Sequence, residues 1–129
     1  MNTEHTFCCL CNIHNEHLIK EIGILLWGMK EYHGYSSFNA TYNNDDYLNL
    51  KYIPGVRMEF IPKKTGKFLP DSLLWLRKNA KKIDVLFIYH NIMSTFLRAC
   101  VYKFFNPHGK IYLKLDVSQE RIVECQVTA

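Results

Sequence analysis

Lys82-Ile-Asp-Val-Leu-Phe-Ile-Tyr-His90 and Gly109-Lys-Ile-Tyr-Leu-Lys-Leu-Asp116 decide the fold. Each is an apolar run, β-branched or aromatic, that stops abruptly at a polar residue. A helical stretch separates them. Two such runs joined by a helix are neighbouring parallel strands of an open α/β sheet, where ligands gather at the carboxyl ends of strands. His90 and Asp116 stand at those ends and are the first candidates for chemistry.

Working outward, the rest of the chain repeats the pattern. Thr6 to Cys11 is a short, almost wholly apolar first strand. Polar residues interrupt it from Asn12 to His17. From Leu18 the apolar residues fall at Leu18, Ile22, Leu25, Leu26 and Met29, which is helical spacing. Gly34 supplies the stop, because glycine tolerates the left-handed turn that ends helices. Tyr35 to Tyr42 reads as a second strand, with Phe38 and Ala40 alternating against polar neighbours. Asn43 to Asp46 is a turn cluster. Gly55 to Pro62 is a third strand, followed by a basic loop from Lys63 to Phe68.

Pro70-Asp71-Ser72 opens a helix with a proline in its first turn and an acid at its positive end. Leu73, Leu74, Leu76 and Ala80 are expected to form its buried stripe, with Lys78, Lys81 and Lys82 at its negative end. Asn91 or Ser94 is expected to cap the next helix. Its apolar positions are Met93, Phe96, Leu97, Cys100, Val101 and Phe104. Asn106-Pro-His-Gly109 ends it. Short strands alternating with helices predict an α/β fold, a Rossmann-like parallel sheet of about five strands with flanking helices. The domain is expected to span residues 1–116. Residues 117–129 read as a polar, weakly patterned tail of different character.

Composition sets the bounds. With 129 residues, 48% of them hydrophobic and 14% aromatic, the chain is one domain with a real core. The formal charge of +4 and pI near 8.8 make it mildly basic. The lysine clusters at 63–67 and 77–82 read as solvated faces or as attraction to phosphates or anionic lipid. The basic residues do not interleave with an aromatic platform, which disfavours nucleic acid as a partner. Five cysteines without a signal peptide suggest a reducing compartment. Cys8, Cys9 and Cys11 read better as small buried hydrophobes than as metal ligands, because no second Cys or His pair sits at zinc-finger spacing. No apolar run approaches the roughly 20 residues that span a bilayer. Trp75, beside Leu74 and Leu76, is either core packing or a peripheral membrane contact.

The loop after the first strand is the natural phosphate cradle of doubly wound folds. Here it reads Cys11-Asn-Ile-His-Asn-Glu-His17. It contains neither G-x-G-x-x-G nor a P-loop. It offers His14, Asn15 and His17 as candidate substrate-binding residues, or as exposed loop residues that cap the first helix. Histidine exchanges protons near neutral pH, so His90 is the candidate catalytic residue, able to orient or deprotonate a hydroxyl. The alternative is a histidine satisfied at a strand end. Asn91 offers an amide to sugar hydroxyls. Asp116 either binds hydroxyls or caps a following helix. His5, His33 and Glu21 read as surface residues.

Four segments together resemble a known family: His14-Asn-Glu-His-Leu-Ile-Lys-Glu-Ile-Gly23, Lys30-Glu-Tyr-His-Gly-Tyr35, Asn79-Ala-Lys-Lys-Ile-Asp-Val-Leu-Phe-Ile-Tyr-His90 and Asn106-Pro-His-Gly-Lys-Ile-Tyr-Leu-Lys-Leu-Asp116. In order and character they are similar to the amino-terminal half of bacterial group 1, family 4-like glycosyltransferases of GT-B architecture. The resemblance implies transfer of a sugar from a nucleotide-sugar to a cell-envelope glycan or lipid-linked acceptor. It implies that this half holds the acceptor, with His14 to His17 facing the cleft and His90 and Asp116 at acceptor-side strand ends. The donor nucleotide and an E-x7-E motif belong to a second domain not found in this sequence. No cofactor or metal is therefore expected here, the chain is expected to be inactive alone, and the tail reads as a truncation. The expected partners are a glycan or lipid-linked acceptor, a membrane periphery and a second copy through an open sheet edge, in the cytoplasm or at the inner membrane face. The alternative is a non-catalytic small α/β binding or interaction module.

Overall fold

The structure is a computed structural model and describes residues 5–89 and 93–114. Strand β1 (Thr6–Leu10) leads through a 3-10 turn (Asn15–Ile19) into helix α1 (Glu21–His33) and strand β2 (Ser36–Thr41). A second 3-10 turn (Leu48–Tyr52) precedes β3 (Arg57–Phe60). Helix α2 (Phe68–Asn79), a short 3-10 turn (Ala80–Lys82), β4 (Val85–Tyr89), α3 (Met93–Phe105) and β5 (Lys110–Lys114) follow. The strands form one sheet in the order β3-β2-β1-β4-β5, and all four pairings are parallel. This is the expected Rossmann-like α/β architecture. The chain winds outward from β1 to β3 and then returns to place β4 on the other side of β1. The seam between β1 and β4 is thus the topological switch point, where open α/β sheets bind their ligands.

Strand β1 is buried on both faces, which is why it reads as a continuous apolar run rather than an alternating one. Phe7 and Cys9 pack with Ile13, Leu18, Ile22, Leu26 and Tyr47 on the α1 side. Cys8 and Leu10 pack with Trp75, Leu76, Leu86, Ile88 and Tyr102 on the α2–α3 side. Each such aliphatic side chain contributes roughly 1.5–3 kcal/mol by leaving water. Trp75 belongs to this core, edge-on to Phe38 at 6.2 Å between centroids, and is not presented to a membrane.

The structure corrects four local readings. The first helix does not run unbroken from Leu18: Lys20 is extended (φ −110°, ψ −152°) and divides the 3-10 turn from α1. Gly23 permits this doubling back, since a Cβ there would lie 1.7 Å from the Leu18 carbonyl oxygen. The polar residues of β2 do not face solvent. Ser37, Asn39 and Thr41 are fully buried, because two of them tether the loop after β1. In α2, Leu74 is exposed, and Asp71, Ser72, Trp75 and Leu76 face inward.

Helix α3 is rotated most from its apolar pattern. Phe96 (59% exposed) and Phe104 (79%) face outward with Met93 and Leu97. Thr95, Arg98 and Tyr102 face the sheet. The two long side chains fill the space with their apolar bodies while their polar tips find partners. The Tyr102 hydroxyl donates to the Ile83 carbonyl (2.6 Å), and Arg98 Nε donates to Ser72 Oγ (2.9 Å). Gly109 makes room for the phenol, where a Cβ would stand 1.9 Å from its oxygen.

Candidate functional site

The loop leaving β1 is held rigidly by the loop leaving β2. Thr41 Oγ1 accepts the Ile13 N–H (2.9 Å), and Asn39 Nδ2 donates to the Cys11 carbonyl (3.3 Å). The Tyr47 hydroxyl lies 2.8 Å from the Ile13 carbonyl and 3.0 Å from that of Tyr42. Tyr47 reaches this position from a left-handed backbone (φ 50°), a conformation costly for an aromatic residue that the buried hydroxyl contacts help to hold. Asn12 Oδ1 accepts hydrogen bonds from Thr41 Oγ1 and Asn44 Nδ2. Its Nδ2 donates to no group among the described residues, and the side chain lines the cleft.

A cleft opens at the carboxyl edge of the sheet, over the seam between β1 and β4, and it has two lobes. The larger, about 570 Å³, lies on the α1 side and is lined by Cys11, Asn12, His17, Lys20, Glu21, Ile22, Tyr89 and Lys114. The smaller, about 180 Å³, lies on the α2–α3 side, where Phe68, Ser94, Thr95 and Arg98 join Leu10 and the shared residues Cys11, Asn12 and Tyr89. Lys114 pairs with Glu21 across the larger lobe and sits 5.3 Å from the centre of the Tyr89 ring.

The candidate residues read from the sequence separate. His17 lines the larger lobe. Its Nδ1 lies 2.9 Å from the His14 nitrogen and 3.2 Å from the His14 carbonyl oxygen; when Nδ1 accepts the N–H, the neutral ring carries its proton on Nε2 as a donor. His14 is not among the residues that line the cleft; its Nδ1 stands 3.8 Å from Asp45. The Asn15 N–H, followed by that of Asp46, holds the Asp45 carboxyl below its ordinary range. Asn15 supports the adjoining loop: its Oδ1 accepts the Asn49 N–H (2.7 Å), and its carbonyl accepts Asn49 Nδ2 (3.1 Å). His90, Asn91 and Asp116 lie outside the described residues. Tyr89 and Lys114, which are described, line the cleft.

Four further residues complete the lining. Asn12 is the first polar residue after β1, two positions beyond its end, and that position alone is a sequence signal. Arg98 interrupts the otherwise apolar run Phe96-Leu-Arg-Ala-Cys-Val101, a second signal. Lys20 and Lys114 carry no signal that separates them from other surface lysines. Burial raises the Cys11 thiol to about 11, only partly opposed by the Arg98 charge, which disfavours its thiolate form at neutral pH. Among the described residues no three His, Cys, Asp or Glu side chains gather into a group able to hold a metal ion. No family model, curated protein or solved structure matches this chain.

Proposed function

We propose that the chain is the acceptor-binding half of a sugar transferase, holding a glycan or lipid-linked sugar in the switch-point cleft. One observation carries the reading. The larger lobe combines hydrogen-bonding side chains (Asn12, His17, Lys20, Glu21 and Lys114) with an apolar and aromatic floor of Ile22 and Tyr89. Sugars ask for that combination, with polar groups for hydroxyls and flat apolar surface for ring C–H faces. The volume falls within the roughly 300–1,000 Å³ of small-molecule sites. The four-segment resemblance points the same way.

In this reading Asn12 Nδ2 and His17 Nε2 donate to acceptor oxygens, and Glu21 accepts from a hydroxyl. His90 remains the candidate base for the attacking hydroxyl, supported by its position after β4. Positioning of this kind contributes to catalysis by pre-arranging the reacting groups. The donor phosphates need their own stabilising site, which the resemblance assigns to a second domain. The reading places the chain in the cytoplasm, where nucleotide-sugars are made, against the inner membrane face. No helix among the described residues is long and apolar enough to cross a membrane.

The second reading is a binding module without chemistry. It is favoured by the Cys11 thiol, which burial raises to about 11 and so makes a poor nucleophile. A glycan array probed with the purified chain, beside an assay of nucleotide release from nucleotide-sugars, tests both. Glycan binding lost in Asn12→Ala and His17→Ala, without nucleotide release, is expected. Nucleotide release by the chain alone would overturn the half-enzyme reading, and an array without binding would overturn acceptor recognition.

A further inference from the structure

Arg98 is 9% exposed and pairs with no carboxylate among the described residues. Its Nε is spent on Ser72 Oγ (2.9 Å), and its guanidinium stacks 4.9 Å from the centre of the Phe68 ring. Among the described residues its Nη1 and Nη2 groups meet no acceptor. A buried charge left in this state is costly unless something pairs with it. The side chain borders the smaller lobe, beside Ser94 and Thr95 in the first turn of α3. That turn begins a 13-residue helix whose leading N–H groups have no partners within the helix. Helix end and guanidinium thus converge on one small cavity, and both favour negative charge.

We infer that the smaller lobe is an anion site for a phosphate-sized group, held by the Arg98 fork, the first turn of α3 and the Asn12 amide. Arginine suits this task because its planar fork meets two oxygens of a phosphate at once. Asn12 and Tyr89 border both lobes, so a ligand can lie across the seam with its sugar ring on the α1 side and its phosphate at Arg98. As a statement about the acceptor, this rests on the reading above and makes that acceptor a phosphorylated sugar. The anion site itself rests only on the geometry. Burial holds the Arg98 pKa below its ordinary value, which is the mark of a charge short of solvation or a counter-ion.

The test is an amide and arginine Nε–H NMR titration of the full chain with inorganic phosphate at constant ionic strength. The expected result is saturable shifts of Ser94, Thr95 and the Arg98 Nε–H, with binding weakened about tenfold in Arg98→Lys, which keeps the charge and loses the fork. Shifts confined to the exposed lysines at 63–67, or no saturation, would overturn the anion site. The wild-type Nε–H signal decides the matter even if a variant at position 98 does not fold. Parallel arms use a sugar 1-phosphate, the matching neutral sugar, and vesicles with or without phosphatidic acid. Tighter binding of the sugar phosphate than of either component supports a soluble acceptor, and vesicle binding dependent on phosphatidic acid and Arg98 supports a lipid phosphate. Phosphate binding without any sugar contribution would leave the anion site standing and remove the sugar reading. Neutral sugar binding indifferent to phosphate would do the reverse.

Discussion

Replacing Gly23 by alanine sets two well-understood effects against each other. In a helix interior, alanine is favoured over glycine by about 1 kcal/mol. Gly23 lies in the first turn of α1, so propensity alone forecasts a more stable protein. Packing forecasts the opposite. The added Cβ would stand 1.7 Å from the Leu18 carbonyl oxygen and 2.4 Å from its carbon. These are backbone atoms, and no side-chain rotation relieves the clash. The 3-10 turn over Asn15–Ile19 must retreat, and Leu18, fully buried, must come part-way out of the core. Overpacking costs typically about 1–3 kcal/mol, and partial exposure of a leucine adds about 1 kcal/mol. After the propensity gain, the net loss is about 2 kcal/mol. With a urea slope of roughly 1–3 kcal/mol per molar, the unfolding midpoint should fall by about 1 M. The same movement displaces His17 and Lys20 from the cleft, so ligand affinity should fall with stability. A Gly23→Ala midpoint equal to or above wild type would refute the packing argument.

Other outcomes follow from the same structure. Phe96→Lys on the outer face of α3 should change stability by no more than about 0.5 kcal/mol, whereas Tyr102→Ala should cost about 3–5 kcal/mol, both read by urea denaturation. Ser37→Ala should be neutral or stabilising by up to about 1 kcal/mol, because the buried Ser37 hydroxyl has no partner among the described residues. Burial pushes the Asp71 carboxyl up, but hydrogen bonds from Tyr42, Thr65 and Gly66 outweigh it and hold it below its ordinary value. The stability it confers is present above the ordinary carboxylate range and is lost as pH falls through its lowered value, so Asp71→Asn should flatten the acid limb of a stability–pH profile. Burial, aided by Asp71, raises Tyr42 to about 12. Its contribution is complete below its ordinary value of 10 and is lost as pH rises through about 12, a limb that Tyr42→Phe should remove.

The sheet was legible because burial on both faces leaves little choice of residue. Phe7 to Leu10 and Val85 to Ile88 can hardly be anything but interior strands, and Gly34 marks the end of α1 by its left-handed turn (φ 71°). The orientation of α3 was not legible. Period analysis weighs Phe96 and Phe104 as core and Arg98 and Tyr102 as surface. It has no knowledge of Gly109, whose missing side chain admits the Tyr102 phenol, or of Ser72, which receives Arg98. The buried polar row on β2 was hidden for a similar reason, since its partners lie 28 or more residues away along the chain in the loop after β1. The candidate site was half legible. The polar loop after β1 was identified as such; within it Asn15 hydrogen-bonds the neighbouring loop and His14 stands near Asp45, while Asn12 and His17 line the cleft.

The central claim is that ligand recognition takes place at the seam between β1 and β4. An amide-shift map of the isotope-labelled chain titrated with hexose oligosaccharides tests it most directly. The account predicts a contiguous footprint on Cys11, Asn12, His17, Lys20, Tyr89 and Lys114, weakened by Asn12→Ala. A footprint centred on the outer face of α3 or on the basic loop at 63–67, with the seam unmoved, would contradict it.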